Sequence, residues 1–141
     1  TALHGLFQGC INLKTVSGFE KSGGTVLTDI FNGCSSLYNA GTINFENVVV
    51  AGRAFQACSA LKEIRIVGTI KTSLDFKDSA LLSKESITSI VNSLSDTVGA
   101  TLTLNKQAVI NAFGSIDAPE WIELITPKSN QYNGKWTISL L

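Results

Sequence analysis

The thiols are the side chains best suited to nucleophilic chemistry in this 141-residue chain, and Cys58 in "AFQACSAL" (residues 54–61) lies between small residues with Gln56 nearby. A cysteine becomes a nucleophile when its surroundings favour the thiolate, most often beside a fixed histidine. The single histidine, His4, falls in the first residues, where chain ends are least ordered, and has no evident partner to fix it as a base. Carboxylates form a second set: Asp117, Glu120 and Glu123 are close in sequence, and Asp75 and Asp78 flank another turn. Such acids serve glycoside hydrolysis or calcium binding only when they converge in space, and Asp117 and Glu120 are better read as complementing the N-terminal end of a following helix. The glycines of "SGFEKSGGT" from Ser17 match neither the dinucleotide nor the P-loop pattern, and Gly23-Gly24 reads as a turn leaving a strand. Trp121 and Trp136 would be sugar-stacking platforms if exposed, whereas burial in a core or cap is the commoner use.

Alignment of the chain with itself changes the reading of the cysteines. "LFQGCINLKTV" from Leu6, "IFNGCSSLYNA" from Ile30 and "AFQACSALKEI" from Ala54 superpose without gaps, each starting 24 residues after the last. Phe7, Phe31 and Phe55 recur, as do Cys10, Cys34 and Cys58, and Leu13, Leu37 and Leu61. Spacing at i, i+3 and i+6 puts the three types on one side of a short helix or 3-10 turn, and the alternation Leu61, Ile64, Ile66 then predicts a strand. A lone unit of this kind cannot bury its apolar side, but stacked units bury a continuous core. Stacking about 5 Å apart would make the thiols a buried file, close enough that one disulfide stays open on distance alone. Equal spacing is a packing rule and not a metal-ligand spacing, so no metal or cofactor site is expected.

The signature F-x-[GA]-C-[SI]-x-L resembles that of BspA-type leucine-rich repeats, found in surface proteins of gut and oral bacteria and in prophage-encoded proteins; it covers about residues 6–78. The resemblance implies one α/β leucine-rich-repeat solenoid over residues 1–141, with a short helix or 3-10 turn and a short parallel strand in each coil. The second unit departs from the pattern at Ala40 and Thr42, which predicts a register shift toward Ile43 and Phe45.

Residues 79–141 read as irregular capping coils with longer helices. "SKESITSIVNSL" places Ile87, Ile90, Val91 and Leu94 on one helical face behind Ser83 as N-cap. "ATLTLN" alternates as a strand with Leu102 and Leu104 inward, and Asn105 caps a helix through "KQAVINAF" that Gly114 ends. Pro119 opens a third helix, Pro127 bars its continuation, and "NQYNG" turns into a last strand from Trp136 to Leu140. The first coil shows no cap, which predicts that further coils precede Thr1 or that another chain covers that end. The absence of methionine predicts a processed or excised piece.

Eleven basic residues balance eleven acidic ones without a Lys/Arg cluster, which argues against nucleic acid and anionic membranes as partners. No apolar run is long enough to span a bilayer, and the residues from Thr1 to Cys10 lack the basic and long apolar regions of a signal peptide. The polar strand positions Thr15, Ser17, Asn39, Glu63 and Arg65, with Gly41, would stack into two outward columns, the kind of face solenoids use to bind proteins. The expected function is a non-enzymatic structural or adhesive module contacting a protein or host surface, with a cell-surface or secreted location implied by the resemblance. The alternatives are a phage tail-fibre or receptor-binding component of a virion and, more distantly, a carbohydrate-active enzyme.

Overall fold

Two residues in each recurring segment adopt left-handed backbone, and they decide the local structure. Gly9, Gly33 and Ala57 have φ of 73°, 81° and 57°, and Gly5, Asp29 and Arg53 have φ of 60°, 58° and 56°. Left-handed residues every four positions cannot continue a right-handed helix. The expected short helix is therefore replaced by consecutive turns. The Cys10, Cys34 and Cys58 N–H groups donate to the carbonyls of Phe7, Phe31 and Phe55, and the Leu13, Leu37 and Leu61 N–H groups donate to the cysteine carbonyls, all at 3.0 to 3.2 Å. Phe, Cys and Leu are thus the inward corners of successive turns.

The same backbone directs alternate N–H groups toward the next segment. Leu3, Gly5, Phe7 and Gly9 donate to the carbonyls of Val26, Thr28, Ile30 and Asn32, and Leu27, Asp29, Phe31 and Gly33 donate to those of Val50, Gly52, Ala54 and Gln56. Parallel bridges join Ala2 to Val26 and Val26 to Val50, and on the other side Thr15 to Asn39. Phe31, Phe55, Cys34, Cys58, Leu37 and Leu61 are buried as a result. The phenylalanine rings stack, with centroids 5.6 Å apart for Phe7 and Phe31 and 5.8 Å for Phe31 and Phe55. Each such pair is worth roughly 0.5–1.5 kcal/mol beyond its buried area.

The file continues one step further than the periodicity of the sequence. Phe76 stacks on Phe55 at 4.7 Å, and Phe76, Ser79 and Leu82, again at i, i+3 and i+6, are all buried. Here the step is shorter by three residues, and serine stands where the first three segments have cysteine. Ser79 Oγ donates to the Cys58 carbonyl at 2.9 Å, and the Asp78 carboxylate accepts the Ala57 N–H that the shortened segment leaves without a carbonyl.

The computed structural model describes residues 1–141 as a mixed α/β fold with three α-helices and two small parallel sheets. Strand β1 (Asn39–Asn44) pairs with β2 (Glu63–Val67). Its register slips by one residue between Asn39 and Thr42, so that Ala40, Ile43 and Phe45 are all buried, as the departure from pattern predicts. Gly41 sits at the slip with φ of 64°, and a Cβ there would lie 2.7 Å from the Val16 carbonyl oxygen. The second sheet orders β3 (Leu74–Phe76), β4 (Thr101–Leu104) and β5 (Thr137–Leu140). Residues around Thr15 contribute only an isolated bridge in place of the strand expected there, and the parallel strands fall into two sheets.

Helix α1 (Lys84–Asn92) accounts for the split. It packs along the free edge of β2, where Ser86 and Ser89 Oγ accept the N–H groups of Ile64 and Ile66, each at 2.9 Å. Serines three apart on a helix and amides two apart on a strand have nearly the same spacing, about 5–7 Å, so the side chains satisfy an edge that a strand would otherwise fill. Ser83 caps α1, Asn105 caps α2 (Lys106–Phe113), and left-handed Gly114 ends α2. Helix α3 (Pro119–Ile125) opens on Pro119 without a side-chain cap, and Glu120 stands in its first turn, where its charge complements the helix N-terminus. One cluster of 31 buried apolar residues runs from Leu27 to Trp136 and joins both sheets and all three helices. No helix is long and apolar enough to cross a membrane.

Candidate binding groove

Three of the five polar strand residues singled out from the sequence converge. Asn39 and Glu63 are direct partners across β1 and β2, and Arg65 lies opposite Thr42. The register slip moves Arg65 off Gly41, so the second outward column forms from Thr42 and Arg65, and Ser17 is not part of it. Thr15 continues the first column through its bridge to Asn39, as an exposed residue beyond the strand.

Asn39, Thr42, Glu63 and Arg65 form one wall and the floor of an open groove of about 430 Å³, and Glu85, Ser86 and Ser89 of α1 form the other wall. The α1 wall was not readable from the strand pattern, because only tertiary packing brings that helix beside β2. Glu63 is held in place: Ser83 Oγ donates to its Oε2 at 3.0 Å, and Ser83 is itself fixed as the N-cap of α1. Arg65 and Glu85 form no ion pair within the chain, so their charges are free to meet a ligand. Ile64 is the one apolar residue of the lining.

The cysteines are free thiols. Cys34 and Cys58 are fully buried, and their Sγ atoms donate to the carbonyls of Phe7 and Phe31 at 3.0 and 3.2 Å. Burial pushes both thiols up, Cys58 to about 12 from an ordinary 9.0, which is the opposite of what a nucleophile needs. Cys10 departs from the expected buried file and is exposed. Both tryptophans are buried, Trp136 with its Nε1 donating to the Ser95 carbonyl at 2.9 Å, and neither offers a sugar platform.

The three carboxylates do not meet in one site: Glu120 and Glu123 line an open pocket with Thr88, Phe113 and Leu124, and Asp117 is not part of it. Asp117, Glu120 and Glu123 are exposed, and Glu120 pairs with Lys84 at 2.6 Å. His4 is exposed as well. No three His, Cys, Asp or Glu side chains come together in a metal-binding group.

One charged arrangement escaped the sequence reading. Arg53 meets Asp29 with two hydrogen bonds, Nε to Oδ1 at 2.9 Å and a terminal nitrogen to Oδ2 at 2.7 Å, while Asn32 donates to Oδ1 at 2.8 Å. The Asp29 side chain is 3% exposed and that of Arg53 64%. The Arg53 fork first, and the Asn32 amide second, hold the Asp29 carboxyl below its ordinary value. Asp29 and Arg53 occupy equivalent positions 24 residues apart, so opposite charges at one period were the signal. Searches of protein-family models, curated proteins and solved structures return no match to this chain.

Proposed function

We propose that this chain is a leucine-rich-repeat solenoid of the BspA type, a non-enzymatic module at the cell surface or secreted, that holds a protein or host-surface ligand in the groove between β2 and α1. The solenoid reading is supported by hydrogen bonds and ring stacks that recur at 24 residues through the first three segments. The observation that carries the binding reading is the groove itself. Glu63 is immobilised by serine, and the uncommitted charges of Arg65 and Glu85 stand on facing walls. Fixed polar groups lose little freedom on binding, and paired charges of both signs give a ligand one orientation.

The test is saturable binding of labelled protein to epithelial cells and to immobilised extracellular-matrix proteins. Arg65→Glu and Glu85→Lys should each weaken it by about tenfold or more, as truncation or reversal of interface charges does. Absence of saturable binding to all of these surfaces, or binding indifferent to both substitutions, would rule the reading out.

A further inference from the structure

The groove does not end at Glu85. A second cavity of about 370 Å³ shares Glu85 and Ser89 with it, and a third of about 260 Å³ shares Thr88 with the second. At about 100° of rotation per residue, Ser86 and Ser89 point toward β2, Glu85 and Asn92 outward, and Thr88 and Lys84 toward α3. The three cavities therefore form one track over the exposed side of α1, opposite its buried Ile87, Ile90 and Val91. The far end of the track is built by Phe113 of α2 and by Glu120 and Glu123 of α3.

Charge along the track is uneven, although the chain as a whole is neutral. Lys84 and Glu120 neutralise each other at 2.6 Å. Glu63, Glu85 and Glu123 have no cationic partner, and Arg65 has no acidic one. One unpaired guanidinium at the β2 end is thus followed by unpaired carboxylates, with Glu123 at the α3 end. The far corner also seats an ammonium from the chain itself: Lys84 Nζ lies 5.3 Å from the centre of the Phe113 ring, with Glu120 beside it.

We infer that the occupant is an extended basic peptide segment, with an acidic side chain on Arg65, one lysine or arginine toward Glu63 and Glu85, and another at Glu123. This rests on the groove reading above and extends it across α1 to residues that reading does not use. Crossing a helix about 10 Å wide takes at least three or four extended residues of about 3.3 Å each, so a single sugar or amino acid would leave the far corner empty. A neutral glycan lacks a stacking platform, because both tryptophans are buried and Phe113, the one aromatic ring of the track, already faces Lys84. An anionic glycan would meet three unpaired carboxylates. Strand addition does not hold the peptide either, since the Ile64 and Ile66 N–H groups are taken by Ser86 and Ser89. Side-chain charge provides the recognition, and binding therefore weakens with salt.

The test uses fluorescein-labelled octapeptides of alanine and glycine carrying one aspartate and two lysines, in both chain directions and at every spacing, read by fluorescence anisotropy. At least one should bind saturably, its affinity falling about fivefold or more between about 50 and 500 mM sodium chloride, and the set with one lysine and two aspartates should not bind. Glu123→Lys should weaken the best peptide about tenfold, and changing the peptide's distal lysine to glutamate should restore binding to that variant. Arg65→Glu should act in the same way at the other end, with restoration when the aspartate becomes lysine. Both side chains are exposed, and Glu123→Gln, expected to weaken binding about threefold, decides the point if charge reversal disturbs α3. Absence of saturable binding by every peptide, equal binding of the charge-reversed set, or preference for chitohexaose or a heparin hexasaccharide would overturn the inference. Sensitivity to Arg65→Glu with indifference to Glu123→Lys would overturn it too, and would leave the groove reading standing with a ligand that stops at Glu85. The groove reading is judged separately, on cells and matrix proteins with Arg65→Glu and Glu85→Lys, so the two failures are distinguishable.

Discussion

The Ser86 hydroxyl accepts the Ile64 backbone N–H at 2.9 Å and donates to the Lys62 carbonyl at 2.9 Å, so one buried side chain satisfies both polarities of the β2 edge. A third strand would have used the same groups. The helix ends the sheet with side chains where a strand would have extended it with backbone.

Ser86→Ala should lower the free energy of unfolding by about 1–3 kcal/mol, the cost of leaving a buried amide without an acceptor. Ser89→Ala, at a half-buried position, should cost less. Urea titration measures both, and a Ser86→Ala change within experimental error would show that water or a shifted helix replaces the hydroxyl.

Asp29 makes stability depend on acid pH. Because its folded-state carboxyl titrates below the ordinary 3.8, the contribution of its pair with Arg53 is complete above that value and is lost as pH falls through the lower folded value. Asp29→Asn should reduce stability at neutral pH and flatten the pH profile below about pH 4. Thermal melts across that range on both proteins check the sign; parallel profiles would remove Asp29 from the account.

Ala57 holds a left-handed conformation where the equivalent residues are Gly9 and Gly33. Ala57→Gly should therefore stabilise the fold by about 0.5–1 kcal/mol, the relief of a left-handed alanine less the extra freedom of glycine in the unfolded chain. The N–H bond to Asp78 is retained in the variant, and a chemical-denaturation midpoint reads the gain.

Native-state alkylation should label Cys10 and spare Cys34 and Cys58. The Cys58 thiol, raised to about 12 from an ordinary 9.0, contributes fully below pH 9 and loses that contribution as pH climbs toward 12. Cys58→Ala should cost about 1–2 kcal/mol for the vacated space and remove part of the alkaline loss of stability. Rapid labelling of Cys58 in the folded protein would contradict the packing role.

Phe7, Phe31 and Phe55 were legible because recurrence marks a packing position whatever the local backbone does. The backbone itself was misread: i, i+3, i+6 spacing suits a helix and a chain of turns alike, and the left-handed positions that separate them include Arg53 and Ala57, residue types that do not announce it. The fourth member of the file, Phe76 with Ser79 and Leu82, was hidden by a three-residue shortening and a change of cysteine to serine. Capping was the most legible feature of the second half, since Ser83, Asn105 and Gly114 act through local geometry. At the groove, Asn39, Glu63 and Arg65 followed from strand alternation, but Glu85 and Ser89 depend on where α1 docks, which no local pattern encodes.

Both tryptophans sit in the last third of the chain, Trp121 in α3 and Trp136 beside β5, while the stack from Phe7 to Phe76 holds only phenylalanine. Tryptophan emission during denaturation therefore observes the far end of the molecule, and the first three segments can separate without altering it. Exposure of the Cys34 thiol is the complementary probe, and the denaturant interval between the two signals measures how far cooperativity reaches along the chain.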